Sequence, residues 1–247
     1  MFQDLGTKIV ARINRARYLR LAKHAKRPEG FGDREKLYND GYFSQNGQDK
    51  WVSEVIFAGR RGGVFVDIGA HDGVSISNTY LLEKELGWNG LAVEPILYVY
   101  EKLIHNRNCA TINACVGAYD GASMFRLITG YSEQLSGMID QYNPAHLDRI
   151  KREIIEYGGT YHDIEVSCYS INTLLERYKL YNIDYLSIDV EGSELSIINE
   201  LDFDRFHVAL IGVENNYSDF RIPKILREKG FVFHSIVGDE FYINAKN

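Results

Sequence analysis

Short apolar runs alternate along this chain with longer segments in which apolar residues recur at helical spacing. The apolar runs predict buried strands at 64–68, 91–93, 110–116, 185–188 and 208–213. The segments beside them predict helices at 49–57, 77–86, 96–106, 171–178, 193–201 and 220–229. Alternation of this kind predicts an α/β fold in which a mostly parallel sheet carries helices on both faces.

Two hairpins interrupt the alternation. Residues 231–237 and 240–244 predict an antiparallel hairpin that follows the last helix. The pair Asp120 and Gly121 predicts a second tight turn, after which 123–128 returns as a strand. We expect the first hairpin to extend the parallel sheet at one side.

Residues 129–162 depart from the pattern altogether. They contain closely spaced glycines, a proline and several tyrosines around one amphipathic helix at 145–157. A strand at 164–168 then returns the chain to the alternation. We expect this segment to form a lid-like insertion over the sheet, within a domain that covers 31–247.

The composition is ordinary for one large globular domain of 247 residues, with 45% hydrophobic and 25% charged residues. No apolar run reaches the roughly 20 residues that span a bilayer, and no signal peptide is recognisable. The three cysteines are odd in number and lack metal-binding spacing. These features predict a cytoplasmic protein with reduced thiols.

Residues 1–30 differ in charge from the rest of the chain. They carry eight basic residues against two acidic ones, and apolar residues recur there at helical spacing. This basic helical segment could contact a membrane surface or an acidic partner, or it could pack its apolar stripe on the domain. The acidic remainder argues against a protein built around nucleic-acid phosphates.

Polar residues follow the strand at 64–68 in the sequence "DIGAHDG". Ligands of parallel α/β sheets bind at the carboxyl ends of the strands, so this loop is a candidate ligand contact. A dinucleotide-binding loop would place a second glycine where His71 stands. Asp67 would repel a pyrophosphate but suits a positively charged amine, and Gly69 and Gly73 permit close backbone approach.

The next two strand ends complete a pattern that matches S-adenosylmethionine. Glu94 follows the second strand, where a carboxylate can accept both hydroxyls of a ribose. The small residues of "NAC", Asn113, Ala114 and Cys115, could lie beside an adenine. Amine, ribose and adenine together favour this cofactor over a dinucleotide.

Acidic residues follow the last two parallel strands. Asp189 and Glu191 leave the buried strand at 185–188, and close carboxylates of this kind can act as a base or bind a hard cation such as Mg²⁺. Glu194 is better explained as a residue that favours the start of the following helix. Glu214 and Asn215 follow the fifth strand and are candidate substrate contacts.

The chain resembles the FkbM family of S-adenosylmethionine-dependent methyltransferases over roughly 42–243. The resemblance rests on five stretches: "FSQNGQD" (43–49), "FVDIGAHDGVSISNTYLLE" (65–83), "GLAVEP" (90–95), "YSEQLSGMID" (131–140) and "IDYLSIDVEGSELSII" (183–198). It implies a class I methyltransferase fold, Rossmann-like, with a seven-stranded sheet and one antiparallel strand. It also implies methyl transfer, usually to oxygen, on sugars and natural products.

The resemblance also implies roles for individual residues. The methionine end of the cofactor would meet Asp67, Gly69, Ala70, His71 and Gly73. Glu94 and Pro95 would hold the ribose side, and 113–115 would flank the adenine. Asn78 could reach the cofactor or cap the first helix. Gln48 and Asp49 would lie near the carboxylate of the cofactor or near the acceptor, or they would form a network at a helix start.

Three other classes of protein remain as alternatives. A nucleotide-dependent oxidoreductase is disfavoured by Asp67 and His71. A nucleic-acid ribose methyltransferase needs two lysines and two acids around its target hydroxyl; Lys50, Asp189 and Glu214 could supply three of them, but no second lysine follows the fourth strand. A binding module without catalysis would need no carboxylates at the fourth strand end.

Overall fold

The structure is a computed structural model that describes residues 13–23, 25–26 and 31–246. Its helices are α1 (13–22), α2 (Arg34–Asn39), α3 (Gln48–Lys50), α4 (Tyr80–Lys84), α5 (Leu97–Asn106), α6 (Pro144–Tyr157), α7 (Ile171–Arg177), α8 (Glu194–Glu200) and α9 (Arg221–Glu228). Its strands are β1 (Val64–Ile68), β2 (Asn89–Val93), β3 (Ala110–Ile112), β4 (Cys115–Gly117), β5 (Gly121–Thr129), β6 (Gly137–Met138), β7 (Thr160–Ser170), β8 (Asn182–Ile188), β9 (His207–Val213), β10 (Phe231–Val237) and β11 (Asp239–Asn244).

Seven of these strands form one sheet in the order β10-β11-β9-β8-β1-β2-β3. The pairs from β9 across to β3 are parallel, whereas β11 runs antiparallel to both β9 and β10. The α/β class, the seven strands and the C-terminal hairpin agree with the sequence analysis. The sheet is mixed, however, because β11 lies between two strands that run the other way.

The central strands are buried on both faces, which explains their nearly continuous apolar sequence. On β1, Val66 and Ile68 enter one core cluster and Phe65 enters a second cluster on the opposite face. Because β1, β2, β8 and β9 run parallel, their carboxyl ends meet at one edge of the sheet, which we call the carboxyl edge.

The prediction of one strand at 110–116 is wrong, because the chain changes sheets at Asn113. The Asn113 side chain donates hydrogen bonds of 2.9 Å to the carbonyl oxygens of Glu94 and Pro95. Only β3 extends the large sheet, whereas β4 enters a second sheet of order β4-β7-β5-β6.

The predicted hairpin at Asp120 and Gly121 is also wrong. β5 pairs antiparallel with β7 along its whole length and with β6, and β4 pairs in parallel with β7. The strand that follows this turn therefore finds its partner some 40 residues later, and pairing over that separation leaves no local signal in the sequence.

Two predicted helices differ from the observed ones at their starts or in their geometry. The helix predicted at 77–86 is confined to α4, because the Ser77 hydroxyl accepts from the backbone N–H groups of Thr79 and Tyr80 in a turn before it. The helix predicted at 49–57 begins as α3 and continues as a π-helix over Trp51–Ile56.

The basic N-terminal segment is described only in part. In α1, Tyr18 and Ala22 are buried, whereas Ile13 and Leu19 are about half exposed at 47% and 50%. Residues 1–12, 24 and 27–30 of the segment lie outside the described residues. None of the described helices combines the length and the apolar character that crossing a bilayer requires.

Glycine is required at one point of the carboxyl edge. Gly69 has a φ of +91°, and a Cβ there would lie 1.8 Å from the carbonyl oxygen of Asp189. The ends of β1 and β8 therefore approach each other more closely than any side chain allows.

We expect Gly69→Ala to lower the free energy of unfolding by about 2–4 kcal/mol, because strain at positive φ adds to a backbone clash. Gly87→Ala is the matched control, since Gly87 also has a positive φ of +66° but no atom within 4 Å of its Cβ position. Urea unfolding of both variants measures the difference, and equal losses would contradict the close approach.

Candidate functional site

A cavity of about 230 Å³ opens at the carboxyl edge. One side is formed by the loops after β1, β2, β8 and β9, and the other by residues of the second sheet and of the 129–162 insertion. The cavity therefore lies at the position where parallel α/β sheets bind ligands.

The structure brings about half of the sequence-predicted site residues to this cavity. Those that line it are Gly69, His71, Glu94, Pro95, Ala114, Cys115, Asp189, Glu191 and Glu214. Those that do not line it are Gln48, Asp49, Asp67, Ala70, Gly73, Asn78, Asn113 and Asn215.

Parallel pairing continues one residue beyond the strands and fixes the lining residues. The Gly69 N–H donates to the carbonyl oxygen of Val93, and the Asp189 N–H donates to that of Ile68, at 3.1 and 3.0 Å. The Glu214 N–H donates to the carbonyl of Ile188 at 3.0 Å. The backbone of the sheet itself thus holds the residues that carry the candidate chemistry.

Glu94 is buried beneath the cavity and held by backbone N–H groups. Its carboxylate accepts from His71 N at 3.1 Å and from Ile96 N at 2.8 Å. Burial raises the pKa of Glu94 to about 7, against the effect of these hydrogen bonds. Each oxygen keeps a second lone pair with which it can accept from a ligand hydroxyl.

His71 links the glycine loop to the insertion. It has a positive φ of 50°, and its Nε2 lies 3.3 Å from the Glu133 carboxylate of the insertion. The neighbouring Asp72 carboxylate, 3.7 Å from Nδ1, raises the pKa of His71. Tyr98 of α5 donates a hydrogen bond to the same Glu133.

The Asp67 carboxylate lies under the loop and interacts with protein groups. It accepts from the Thr79 hydroxyl at 2.5 Å and lies 4.0 Å from the buried Arg107 guanidinium. Arg107 also donates to Glu83 at 2.6 Å. Burial raises the pKa of Asp67, and Arg107 opposes that shift. Asp67 therefore contacts protein groups beneath the "DIGAHDG" loop.

Other predicted residues are also engaged by the protein. The buried Asp49 carboxylate accepts from Ser44 Oγ at 2.5 Å and from Phe43 N at 2.6 Å, at the start of α3. Gln48 Oε1 accepts from Asn46 N at 2.8 Å. These contacts correspond to the helix-start network that the sequence analysis weighed against a ligand contact.

Asn78 and Asn215 tie strand ends together. Asn78 Nδ2 donates to Ser187 Oγ at 3.1 Å and to Asp239 Oδ2 at 3.3 Å. Asn215 Nδ2 donates to Glu240 Oε1 at 2.9 Å, and its Oδ1 accepts from Asp219 N at 2.7 Å. Asn78 therefore joins the loop after β1 to β8 and β11, and Asn215 joins the loop after β9 to β11.

A cluster of three carboxylates occupies the middle of the carboxyl edge. Oxygen atoms of Asp189, Glu191 and Glu214 all lie within 4.8 Å of one another. Burial raises the pKa of Asp189 to about 6. Burial, together with the charge of Asp189, raises the pKa of Glu191 to about 8 and that of Glu214 well above its usual value. Such a cluster holds protons at neutral pH or binds a cation.

Two basic residues of α6 face this cluster, and sequence reasoning missed both. His146 Nδ1 lies 3.4 Å from Glu191 Oε2, and Arg149 Nη1 lies 3.9 Å from Glu191 Oε1. The helix pattern at 145–157 indicated α6, but nothing in it indicated which of its residues would meet the strand end.

The hydrogen bonds of His146 define its tautomer. Its Nε2 lies 3.1 Å from the carbonyl oxygen of Leu135, to which it can only donate, and its Nδ1 lies 2.9 Å from the Tyr217 hydroxyl. In the neutral ring Nδ1 is therefore an acceptor. Burial lowers the pKa of His146, which favours this neutral form.

Glu194 caps the loop that carries the cluster. Its Oε1 accepts from Gly192 N at 2.9 Å and from Val190 N at 3.3 Å. The sequence analysis preferred a structural role for Glu194 at the start of α8, and these hydrogen bonds hold the loop just before that helix. Glu191 itself has a φ of +55°, and the loop turns sharply there.

Comparison with known proteins identifies the family. The sequence profile of the methyltransferase FkbM domain matches residues 67–233. No curated protein matches the chain. Methyltransferase FkbM from Methylobacillus flagellatus KT is a solved structure that matches at 14% identity and a TM-score of 0.40. The match covers 74% of this chain and only 43% of that protein.

The profile match spans well over half of the chain and includes the glycine loop, Glu94 and the carboxylate cluster. It begins after the "FSQNGQD" stretch, and it confirms the family resemblance drawn from the sequence. The chain belongs to the FkbM methyltransferase family.

Proposed function

We propose that this protein is an S-adenosylmethionine-dependent O-methyltransferase of class I fold that methylates a hydroxyl group on a sugar, glycan or natural product. The observation that carries the proposal is a single cavity in which the glycine loop and Glu94 face the carboxylate cluster. The candidate cofactor site and the candidate proton acceptor therefore lie in the same cavity. The sheet order, with antiparallel β11 inserted beside β9, supports the class I assignment.

The cofactor would lie along the loops after β1, β2 and β3. Gly69 and His71 would contact its methionine end, and Glu94 would accept from the ribose hydroxyls. Ala114 and Cys115 would flank the adenine, beside Met138, whose Sδ lies 3.4 Å from Cys115 Sγ. Four further predicted residues would act indirectly, because they hold these loops in place: Asp67, Gly73, Asn78 and Asn113.

The chemistry asks little of the protein beyond positioning and a proton acceptor. When bound, the cofactor would supply a methyl group activated on sulfur. The hydroxyl oxygen of the acceptor would bond to its carbon while the carbon–sulfur bond broke with its electron pair remaining on sulfur. The hydroxyl proton passes to a carboxylate. We assign that role to Asp189, because at pH 7 a carboxyl group with a pKa of about 6 is mostly ionised. Glu191, with a pKa of about 8, is the alternative base at higher pH.

The same carboxylates could instead hold Mg²⁺, since three carboxylate oxygens are ligands that this ion prefers. A bound Mg²⁺ would lower the pKa of the hydroxyl group and orient it. In that case Asp189, Glu191 and Glu214 would be its protein ligands, and Arg149 would balance their remaining charge.

The insertion at 129–162 supplies the lid in this proposal. Glu133, Gln134, Ser136, Met138 and Arg149 line the cavity from that side. We propose that the lid closes over the bound cofactor, and that the domain as a whole covers 31–247. The three cysteines are buried and unpaired, which fits the predicted cytoplasmic location.

A nucleic-acid ribose methyltransferase is less well supported. The Lys50 ammonium that it would need lies 4.6 Å from the centre of the Tyr42 ring, and Lys50 does not line the cavity. Asp189 and Glu214 therefore have no lysine partner from that part of the chain.

S-adenosylhomocysteine at about a hundred times its Kd should stabilise the protein by roughly 2.7 kcal/mol and raise Tm by roughly 5–10 °C. Glu94→Ala should abolish that shift, because it removes the acceptor for the ribose hydroxyls. Glu228→Ala, on the exposed face of α9, is the control and should retain it. A thermal shift with NAD alone would contradict the proposed cofactor.

Asp189→Ala should reduce methyl transfer by about 10²–10⁴-fold while the affinity for S-adenosylhomocysteine stays within a few-fold. Single-turnover kinetics and calorimetry measure the two quantities. A collapse of cofactor binding would instead assign Asp189 to the cofactor site. Loss of activity with a chelator, restored by Mg²⁺, would favour the metal alternative.

In the wild-type protein the rate should fall about tenfold per pH unit below pH 6, because the raised pKa of Asp189 leaves its carboxylate protonated there. A pH profile of kcat/KM measures this. A rate that stays level down to pH 4.5 would exclude Asp189 as the base.

A further inference from the structure

Helix α1 carries cationic and apolar side chains on the face that points away from the domain. The exposed residues of this face, which we call the outer face of α1, include Ile13, Arg15, Arg17, Leu19, Arg20 and Lys23. Residues four apart are neighbours on a helix, so Leu19 lies between Arg15 and Lys23. Ile13 likewise lies one turn from Arg17. Cationic and apolar groups therefore alternate along the outer face.

The domain does not use the four cations of the outer face. None of them forms an ion pair, a hydrogen bond or a cation–π contact with another described residue. Residues 13–26 contain no aspartate or glutamate, so no acidic neighbour along the helix neutralises them. The chain as a whole has a formal net charge of −6, which makes this basic face an exception on an acidic protein.

The inner face of α1 is attached to the domain at the carboxyl edge. Tyr18 and Ala22 are buried, and the Tyr18 hydroxyl donates a hydrogen bond to the Glu240 carboxylate. Glu240 pairs with the last residue of β9, which lies at that edge. The chain then pairs with β10, where Lys26 N donates to the carbonyl oxygen of His234 at 3.2 Å. A surface that binds the outer face would therefore lie near the carboxyl edge.

The apolar side chains decide which anionic partner fits this face. At an anionic bilayer, arginine and lysine contact the headgroups while their aliphatic stems and neighbouring apolar residues reach the acyl boundary. A nucleic acid would pair with the guanidinium groups but would leave Ile13 and Leu19, which are 47% and 50% exposed, in water. The acidic remainder of the chain would also repel a long polyanion that followed the surface of the domain.

We propose that the outer face of α1 docks the protein on an anionic lipid bilayer, with the carboxyl edge of the sheet close to the membrane surface. This inference goes beyond the proposed function and does not depend on it, because neither cofactor nor acceptor takes part in the contact. Each basic residue near an anionic bilayer raises the affinity about five-fold, and salt screens the attraction. The binding is therefore reversible and sensitive to ionic strength.

Sedimentation of the full chain with lipid vesicles tests the proposal. The vesicles contain phosphatidylcholine alone or phosphatidylcholine with about 30% phosphatidylserine. We expect binding to the anionic vesicles at an ionic strength of about 0.1 M, much weaker binding at about 0.5 M, and none to the neutral vesicles. Absence of binding to anionic vesicles at the lower ionic strength would overturn the proposal.

Two triple variants that lose the same charge locate the contact. The variant Arg17→Gln, Arg20→Gln, Lys23→Gln should bind anionic vesicles about 100-fold more weakly. Its control removes three exposed cations on and directly after α9, a basic helix without an exposed large apolar side chain: Lys224→Gln, Arg227→Gln, Lys229→Gln. The control should stay within about three-fold of the wild type. Equal losses in the two variants would show that the total charge, and not the outer face, determines binding.

A variant that keeps every charge separates a membrane from a nucleic acid. Ile13→Ser, Leu19→Ser should lower the affinity for anionic vesicles about ten-fold, because it removes the side chains that reach the acyl boundary. Labelled duplex DNA is titrated in parallel. Vesicle binding that is unchanged in this variant, together with equally tight binding of DNA, would assign the face to nucleic acid instead.

A fluorescent probe reports the contact without removal of any charge. The native cysteines are buried, so an environment-sensitive dye can be attached selectively at Leu19→Cys in the full chain. We expect its emission to shift to shorter wavelength with anionic vesicles and to stay unchanged with neutral ones. The same dye at Lys224→Cys on α9 should show no shift. Equal shifts at the two positions would contradict docking through α1.

Discussion

The structure depends on how it accommodates carboxyl groups buried at one edge of its sheet. A buried carboxylate must be hydrogen-bonded, be paired with a cation or keep its proton. Asp67 has Thr79 and Arg107, Glu94 has two backbone N–H groups, and Glu194 has two more from its own loop. The carboxyl groups of Asp189, Glu191 and Glu214 have too few such partners. These three residues are the candidates for the chemistry.

The insertion at 129–162 brings side chains of α6 to the carboxyl edge of the sheet. The long pairing of β5 with β7 supports it, and α6 brings His146 and Arg149 to Glu191. Arg149 is the positively charged neighbour of Glu191, whereas the neutral His146 ring lies 3.4 Å from the other carboxylate oxygen. Residues of the insertion and of the carboxyl edge therefore interact electrostatically at Glu191, although they come from separate parts of the chain.

Much of the fold could be predicted from the sequence, because buried parallel strands and the residues that follow them leave local signals. The apolar run of β1 followed by "DIGAHDG" indicated both a strand and a ligand loop. The same pattern indicated Glu94, Asp189 and Glu214 at neighbouring strand ends, and the structure brings them to one cavity. Their proposed roles remain predictions.

The rest depended on contacts between distant residues. Asn113 turns the chain into a second sheet through bonds to β2, and no local pattern marks that change. The side chain of Asp67 lies on the face of β1 that meets Arg107. Arg107 is 40 residues away in the sequence, so local sequence preferences cannot identify it as a partner. The contact of His146 could not be predicted for the same reason, because a histidine on an amphipathic helix shows no functional pattern until the residue that it contacts is known.

The backbone at Glu191 has a consequence for movement. Its carboxylate belongs to the β8–α8 loop, held at a positive φ, while its basic neighbours belong to α6. A displacement of α6 would remove both neighbours together and change the affinity of Glu191 for its proton. By thermodynamic linkage, protonation of Glu191 must in turn shift the position of α6. The position of α6 and the protonation of Glu191 are therefore thermodynamically coupled.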